Sequence, residues 1–148
     1  MRIISNLYQM ILYKMLPPPP ETGGILGGQD GIVTHFCFDR GQCTLTSPAH
    51  YQPNTEFLNQ LIQKWEVCNI RFYGIFHSHY SNDAELSSGD REYITRIMLA
   101  MPSEIHTLYF PLVLPRTAII GYQANRYGTS VHIVCDKIEI LKMEANLQ

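Results

Sequence analysis

Four consecutive prolines, Pro17 to Pro20, set the first boundary on how this chain can fold. Proline lacks a backbone N–H and its ring clashes with the preceding helical turn, so no helix can continue through the run. Apolar pairs recur every four residues before it, and this spacing predicts an amphipathic N-terminal helix over residues 3–16. Residues 17–20 are predicted to form a stiff, extended linker, with a proline-rich ligand for a partner as the alternative.

Strand-like and helix-like segments follow the prolines. An Asp30-Gly31 pair separates two strand-like runs, residues 21–28 and 31–39, and predicts a β-hairpin. Two later segments have apolar residues at helical spacing and are predicted helices: residues 53–67 and 87–101. Further strand candidates are rich in β-branched and aromatic residues: residues 70–79, 105–114, 116–124 and 130–141. This order predicts an α/β fold with antiparallel pairs and helices packed on the sheet.

Length, composition and charge favour a single soluble domain over residues 1–148. A chain of 148 residues with 45% hydrophobic and 16% charged residues can bury a core of its own. A formal net charge of -2 offers no basic surface to nucleic acid or to a membrane. No apolar run reaches the roughly 18 residues that span a bilayer. We therefore expect neither nucleic acid nor a membrane as a partner.

The N-terminal segment and the cysteines indicate the compartment. Asn6, Gln9 and Lys14 interrupt the first apolar stretch, which also lacks the small-residue cleavage site of a signal peptide. The four cysteines show no CxxC spacing, which argues against a cysteine-based zinc site. We therefore expect a cytoplasmic protein with reduced thiols, among them a surface thiol at Cys43.

Metal-ligand residues are concentrated in the segment HSHYSNDAELSSGD, residues 77–90. Residues i and i+2 of a strand share a face, so His77 and His79 can direct both imidazoles to one point. If a helix begins at Ser87, Asp90 lies in its first turn, where the helix dipole favours a carboxylate. Two imidazoles and one carboxylate suit zinc and leave a fourth position for water. The alternative is that Ser87 and Asp90 form an ordinary helix cap, and the two roles do not exclude each other.

A hydrolytic zinc site also needs a proton acceptor, and Glu21 is the candidate. It directly follows the prolines and precedes glycines at positions 23, 24, 27 and 28, whose small size permits close backbone approach beside a site. Without the histidines, an exposed carboxylate at the start of a strand would be the simpler interpretation.

Together these residues resemble the signature of the JAMM (MPN-plus) family of zinc metalloproteases, which carry a JAB domain. The signature is a glutamate, then H-[ST]-H, seven residues and S-x-x-D. Glu21 in ETGG, HSH at 77–79 and SSGD at 87–90 fill every position. The ETGG form is most similar to the prokaryotic branch, and the likeness extends over residues 2–141. It implies a cytidine-deaminase-like JAB/MPN fold, a mixed and largely antiparallel sheet flanked by helices, with a catalytic core over residues 21–141.

The resemblance also implies a role for each motif residue. His77, His79 and Asp90 would bind one zinc ion per chain, with a catalytic water in the fourth position. Glu21 would accept the proton of that water and later pass it to the leaving amine. Ser87 would donate a hydrogen bond to the oxyanion that forms on the scissile carbonyl.

The implied activity is deubiquitinase-like: hydrolysis of a peptide or isopeptide bond after the C-terminal tail of a ubiquitin-like protein. The expected partners are that protein or its conjugates, together with activating and conjugating-like enzymes of the same pathway. Hydrolysis of sulfur-carrier-protein adducts would use the same site and is an alternative. A non-catalytic scaffold of this fold is a second alternative, against which the complete motif argues. The DNA-repair-associated RadC branch typically has HNH followed by proline, whereas this chain has HSHYSN.

The remaining histidines and Ser78 are not assigned to the site. His35, His50, His106 and His132 are expected to be packed or solvated, because the ligand set is complete without them. Ser78 is expected to point to the opposite face of the strand and to support it.

Overall fold

The computed structural model describes residues 1–42 and 50–142, so Cys43 and residues 143–148 lie outside the described residues. The described helices are α1 (Ser5–Lys14), α2 (Thr55–Val67) and α3 (Ser88–Ala100). The described strands are β1 (Arg2–Ile4), β2 (Gly23–Gln29), β3 (Ile32–Asp39), β4 (Arg71–Ser78), β5 (Thr107–Tyr109), β6 (Leu112–Leu114), β7 (Ala118–Ile120), β8 (Tyr122–Tyr127), β9 (Ser130–Cys135) and β10 (Glu139–Leu141). The predicted α/β class is confirmed. Over these residues, no helix is long and apolar enough to cross a membrane.

The strands form one mixed sheet. Its main path runs β10-β1-β3-β2-β4-β5-β8-β9, and β6 joins β4 to β7 beside this path. β1 is parallel to β3 and β10, and β4 is parallel to β5 and β6. The other pairs are antiparallel: β2–β3, β2–β4, β5–β8, β6–β7 and β8–β9.

The hairpin and the two later helices occur where the sequence predicts them. Asp30 and Gly31 join β2 to β3 with φ values of 54° and 75°. Both values lie in the left-handed region that a two-residue hairpin turn requires and that Asp-Gly pairs favour. The predicted helices at 53–67 and 87–101 correspond to α2 and α3, and the side chain of Asn54 caps α2.

Alternate side chains of the central strands enter two hydrophobic clusters, one on each face of the sheet. α1 covers the first face, whose buried cluster contains Met1, Ile3, Leu7, Ile11, Met15, Leu26, Val33, Phe76 and Val113. α2 and α3 cover the second face, whose cluster includes Ile25, Leu58, Trp65, Ile75, Ile94, Met98, Leu108, Phe110 and Leu112. Ile75 and Phe76 therefore point to opposite sides, and β4 lies between two layers of core.

The N-terminal prediction is wrong in two places. Residues 2–4 form β1 rather than a helical turn, because Ile3 is 1% exposed and the strand pairs with β3 and β10. Residues 18–20 form bends rather than an extended run, although the prolines do connect α1 to β2 as predicted. Prolines have no backbone N–H, so no hydrogen bonds donated by the run itself fix its conformation. The packing of the two flanking segments sets its course instead.

Each of the last three strand candidates is divided into two strands. Pro111, which lacks a backbone donor, separates β5 from β6. Gly121 separates β7 from β8 at a point where a side chain would overlap the backbone of Asp136. The third break, at residues 136–138, separates β9 from β10. The first break matters for the site, because it lets β6 pair with the carboxyl end of β4.

Candidate metal centre

The carboxyl end of β4 delivers two histidines to one buried point. His77 is the penultimate residue of β4 and faces α3, and His79 keeps that side as its N–H donates to the carbonyl of Val113 at 3.0 Å. The two residues are 0% and 2% exposed. Ser78 lies between them, and its Oγ accepts a hydrogen bond from the N–H of Thr22 at 3.0 Å. This contact agrees with the supporting role expected for Ser78.

The first turn of α3 brings Asp90 to the same point. Ser87 is the N-cap, and its Oγ accepts a hydrogen bond from the N–H of Asp90 at 3.1 Å. The Asp90 carboxylate in turn accepts from the N–H of Ser87 at 2.8 Å, which completes a capping box. The helix cap and the approach to the histidines are thus properties of the same two residues.

The donor atoms of three side chains lie within ligand spacing of one another. His77 Nε2 is 3.2 Å from His79 Nε2 and 3.2 Å from Asp90 Oδ1. Asp90 Oδ2 is 3.1 Å from His79 Nε2. Ligand atoms bound to a tetrahedral zinc ion at about 2.0–2.1 Å lie about 3.3 Å apart. These three side chains therefore fit an ion of that size and geometry.

Glu21 lies beside this triangle. Its Oε1 is 3.7 Å from His79 Nε2, and its Oε2 accepts a hydrogen bond from the N–H of Tyr51 at 3.1 Å. Glu21, His77, His79 and Asp90 each offer a ligand atom, and these atoms all lie within 4.8 Å of one another. The four residues form a group that could hold a metal ion.

The outer nitrogens of both imidazoles also have partners. The Tyr93 hydroxyl is 3.1 Å from His77 Nδ1. His79 Nδ1 is 3.3 Å from the carbonyl oxygen of Asp83 and 3.3 Å from its Oδ2. An imidazole that binds a metal through Nε2 carries its proton on Nδ1 and donates it to a partner of this kind. Both rings are thus arranged with Nε2 toward the cluster.

Tyr51, whose N–H donates to Glu21, is itself held by a buried carboxylate. The buried Asp39 carboxylate accepts hydrogen bonds from the Tyr51 hydroxyl at 2.8 Å and from the N–H of Asn54 at 3.0 Å. At Gly23, a Cβ would lie 2.5 Å from Cζ of the Tyr51 ring. That Cβ would also overlap the backbone carbonyl oxygen of Phe76, so the expectation that glycine after Glu21 permits close backbone approach is confirmed at this position.

Burial and hydrogen bonding act in opposite directions on the charged groups. Burial raises the pKa of Asp90, but hydrogen bonds from His77 and His79 outweigh it and hold that pKa well below its ordinary value. Burial lowers the pKa of His79, yet the hydrogen bond to Asp90 and the charges of Glu21 and Asp83 raise it overall. Asp90 is therefore an ionised carboxylate at neutral pH, which is the state that attracts a cation.

A cavity of about 760 Å³ extends from this cluster along α3. Ser87, Asp90, Glu92 and Arg96 line it from the N-cap and first two turns of α3, and Tyr51 lines it from the segment before α2. A cleft of this volume is in the range of known ligand sites, and it gives a substrate direct access to Ser87.

Sequence reasoning missed the residues that support the ligands. Tyr93 is one of the residues at helical spacing that predict the helix over 87–101, and its i+3 spacing from Asp90 is the sequence signal that the two share a face. Tyr51 and Asp83 reach the site through loops, and no local pattern marks them. His50 is exposed, with Nδ1 4.0 Å from Glu21 Oε1.

The other histidines lie away from the cluster. His35 contacts Trp65 edge-on, His132 contacts Tyr127 in the same way, and His106 is exposed.

No family model and no curated protein matches this chain. Two structures determined in solution are similar to it. A protein from Desulfitobacterium hafniense is 16% identical with a TM-score of 0.63, over 99% of this chain and 96% of that one. A protein from Salinibacter ruber is 15% identical with a TM-score of 0.57, over 99% of this chain and 94% of that one. The likeness is one of fold.

Proposed function

We propose that this chain is a zinc metallopeptidase of the JAMM (MPN-plus) type, with a cytidine-deaminase-like JAB/MPN fold. Its reaction would be hydrolysis of the peptide or isopeptide bond that follows the C-terminal tail of a ubiquitin-like protein. One observation carries the proposal: Glu21, His77, His79 and Asp90 bring ligand atoms within 4.8 Å of one another, and Ser87, which is hydrogen-bonded to Asp90, lines the adjacent cavity. Glu21 lies 56 residues before His77 in the chain, so sequence proximity alone does not explain its place beside the other four.

His77, His79 and Asp90 would hold the metal through two Nε2 atoms and a carboxylate oxygen. Three such ligands with one open position are typical of catalytic zinc sites. When bound there, zinc would polarise a carbonyl and lower the pKa of a water molecule. Glu21 fits a different task, because its Oε1 lies farther from His79 Nε2 than Asp90 does and its Oε2 is engaged by Tyr51.

Glu21 would move the proton. The Tyr51 N–H holds Oε2 and leaves Oε1 directed toward the ligand triangle. Oε1 would take a proton from the attacking water as the oxygen of that water bonds to the scissile carbonyl carbon. The same carboxyl would then deliver the proton to the amine nitrogen as the C–N bond breaks.

Ser87 would stabilise the negative oxygen that forms on that carbonyl. Its Oγ accepts from the N–H of Asp90, which leaves the hydroxyl hydrogen to donate. Ser87 also lines the cavity, so its hydroxyl is accessible to a bound substrate. A preorganised donor at this position is worth most in the transition state, where the charge is greatest.

An extended peptide tail matches the cavity. The cavity follows α3 past Glu92 and Arg96 and therefore offers both charges to a polar peptide before it reaches Ser87. A flexible C-terminal tail can enter as an extended segment and present its last residues to the site. A ubiquitin-like protein or its conjugate has such a tail, and the enzymes that activate and conjugate it would be the functional partners.

Zinc content and cleavage of a ubiquitin-like fusion test this proposal together. Purified protein should retain one zinc per chain and cleave a C-terminal extension after the final glycine of the ubiquitin-like part. Glu21→Gln should lower turnover by about 10²- to 10⁴-fold with zinc still bound. Glu66→Gln removes an exposed carboxylate of α2 and is the matched control, which should keep full activity.

The possible failures are separable. Full activity of Glu21→Gln would contradict its role as the proton acceptor. A wild-type protein that binds no zinc would contradict the metal assignment. Stoichiometric zinc without cleavage of any ubiquitin-like fusion would contradict the substrate class alone.

A further inference from the structure

Tyr93 and Asp90 lie on the same side of α3, three residues apart, and both reach His77. Asp90 Oδ1 is 3.2 Å from His77 Nε2, while the Tyr93 hydroxyl is 3.1 Å from His77 Nδ1 on the other edge of the ring. The Tyr93 ring stands edge-on to His77, with centroids 5.8 Å apart at 78°. It also packs against Phe110 in the core. One helix therefore contacts both nitrogens of the same imidazole.

We propose that Tyr93 is a positioning residue for the metal site, which holds His77 as the Nδ1–H tautomer with Nε2 turned toward the ion. This inference rests on the proposed metal site and adds a residue that the family signature does not contain. In the metal-bound site the hydroxyl oxygen of Tyr93 would accept the Nδ1–H hydrogen, which leaves the lone pair of Nε2 for the metal.

Burial prevents water from replacing the hydrogen bond between Tyr93 and His77. Tyr93 is 7% exposed and His77 is 0% exposed, so water has little access to replace a lost hydroxyl. A buried imidazole N–H without a partner costs free energy, and the ring can avoid that cost by moving its proton to Nε2. That tautomer cannot bind a metal through Nε2. Loss of the Tyr93 hydroxyl is therefore expected to weaken metal binding through His77.

His79 has a more tolerant arrangement. Its Nδ1 faces both the carbonyl oxygen and the carboxylate of Asp83, each at 3.3 Å, and the Asp83 side chain is 57% exposed. A change in the Asp83 side chain leaves the backbone carbonyl in place, and water can also reach the position. The two ligands thus differ: His77 depends on one buried hydroxyl, and His79 has an alternative acceptor.

The test is the zinc affinity of Tyr93→Phe, measured by competition with a chelator of known affinity. Phenylalanine keeps the ring and its packing, so the variant removes the hydroxyl alone. We expect zinc to bind about 10- to 100-fold more weakly, as is typical when an outer partner of a metal-binding histidine is lost. Asp83→Asn should have a smaller effect. Tyr73→Phe, which removes a hydroxyl that accepts from the N–H of Gly31 far from the cluster, should have none.

Two spectroscopic measurements separate positioning from a general loss of structure. The visible spectrum of the cobalt-substituted protein should change in Tyr93→Phe and stay unchanged in Tyr73→Phe. In the zinc-loaded wild-type protein, ¹⁵N NMR should show His77 protonated at Nδ1. That second measurement needs no variant, so it can overturn the inference even if Tyr93→Phe does not fold.

Unchanged zinc affinity and an unchanged cobalt spectrum in Tyr93→Phe would overturn the inference while leaving the zinc site intact. A His77 that binds zinc through Nδ1 would overturn it as well. A wild-type protein that takes up no zinc would refute the proposed function, and the positioning role with it.

Discussion

The two faces of β4 differ near its carboxyl end, where one face buries the ring of Phe76 and the other buries the imidazole of His77. On the face toward α1, Phe76 belongs to an apolar cluster and meets the rings of Phe36 and Phe38 edge-on. On the face toward α3, Ile75 belongs to the apolar core, but His77, two residues later, belongs to a polar cluster. A single strand therefore packs against a core on both sides and, at its carboxyl end, contributes to a candidate site on one of them.

The polar cluster at the carboxyl end of β4 is held together by hydrogen bonds and ion pairs rather than by apolar packing. A buried imidazole or carboxylate costs free energy unless it is hydrogen-bonded. His77 is paired with Asp90 and Tyr93, while His79 is paired with Asp90 and Asp83. Both faces of the sheet therefore contribute a hydrophobic core to stability, and the α3 face in addition keeps a polar cluster satisfied in a geometry that suits a metal.

Phe76→Ala should give the largest loss of stability. The ring is fully buried, so its removal leaves a cavity and should cost about 3–5 kcal/mol in the free energy of unfolding. Urea denaturation of the metal-free protein measures this. His77→Ala, one residue along the strand, should abolish stoichiometric zinc binding at a smaller cost in stability. If Phe76→Ala lost zinc without losing stability, the proposed division between the two faces would be wrong.

Two serines beside the cluster provide a matched pair. Ser87→Ala should lower kcat by about 10²- to 10³-fold, because it removes an oxyanion donor, and should lower stability by about 1 kcal/mol through the lost cap. Ser78→Ala leaves the buried N–H of Thr22 without its partner, so it should cost about 1–3 kcal/mol with a much smaller change in kcat. Denaturation and steady-state kinetics on both variants measure the contrast. Equal losses of kcat would remove the distinction between these residues.

The acid stability of the metal-free protein should depend on Asp90. Folding holds the pKa of this carboxyl below its ordinary value of about 3.9, so the folded state binds the proton less tightly than the unfolded chain does. The resulting stability is present above about pH 4 and is lost as the pH falls toward the folded pKa. His79 acts in the opposite sense, because its raised pKa gives stability that is lost as the pH rises.

Unfolding measured between about pH 7 and pH 3 should therefore show a shallower acid-side loss in Asp90→Asn than in the wild type. Asn keeps the side-chain shape and an oxygen for the cap, which isolates the charge. A variant with the same acid-side slope as the wild type would show that Asp90 does not carry this dependence.

Local patterns predicted the parts of the fold that are set by nearby residues. The turn follows from the Asp30-Gly31 pair, whose two residues tolerate the positive φ values that the turn requires. The helices α2 and α3 follow from the helical spacing of their apolar residues. The i, i+2 geometry of His77 and His79 predicted that the two rings would share a face, and the structure places them so. The zinc ion and the roles of the motif residues stay predictions.

The features that the sequence did not predict depend on distant contacts. Ile3 and Ile4 fit a helix or a strand equally well, and the pairing of β1 with β10 decides between them. The breaks that divide the last strand candidates depend on which neighbour each half pairs with. The sequence places Tyr93 among the apolar residues of α3, which indicates a core residue. Its hydroxyl reaches His77 through the packing of α3 against β4, and no local pattern predicts that contact.

X-ray absorption at the zinc edge of the loaded protein measures directly which atoms bind the ion. We expect one zinc per chain with nitrogen and oxygen ligands at about 2.0–2.1 Å in fourfold coordination, including two imidazoles. Sulfur ligands at about 2.3 Å, or the failure of the protein to retain stoichiometric zinc, would contradict it.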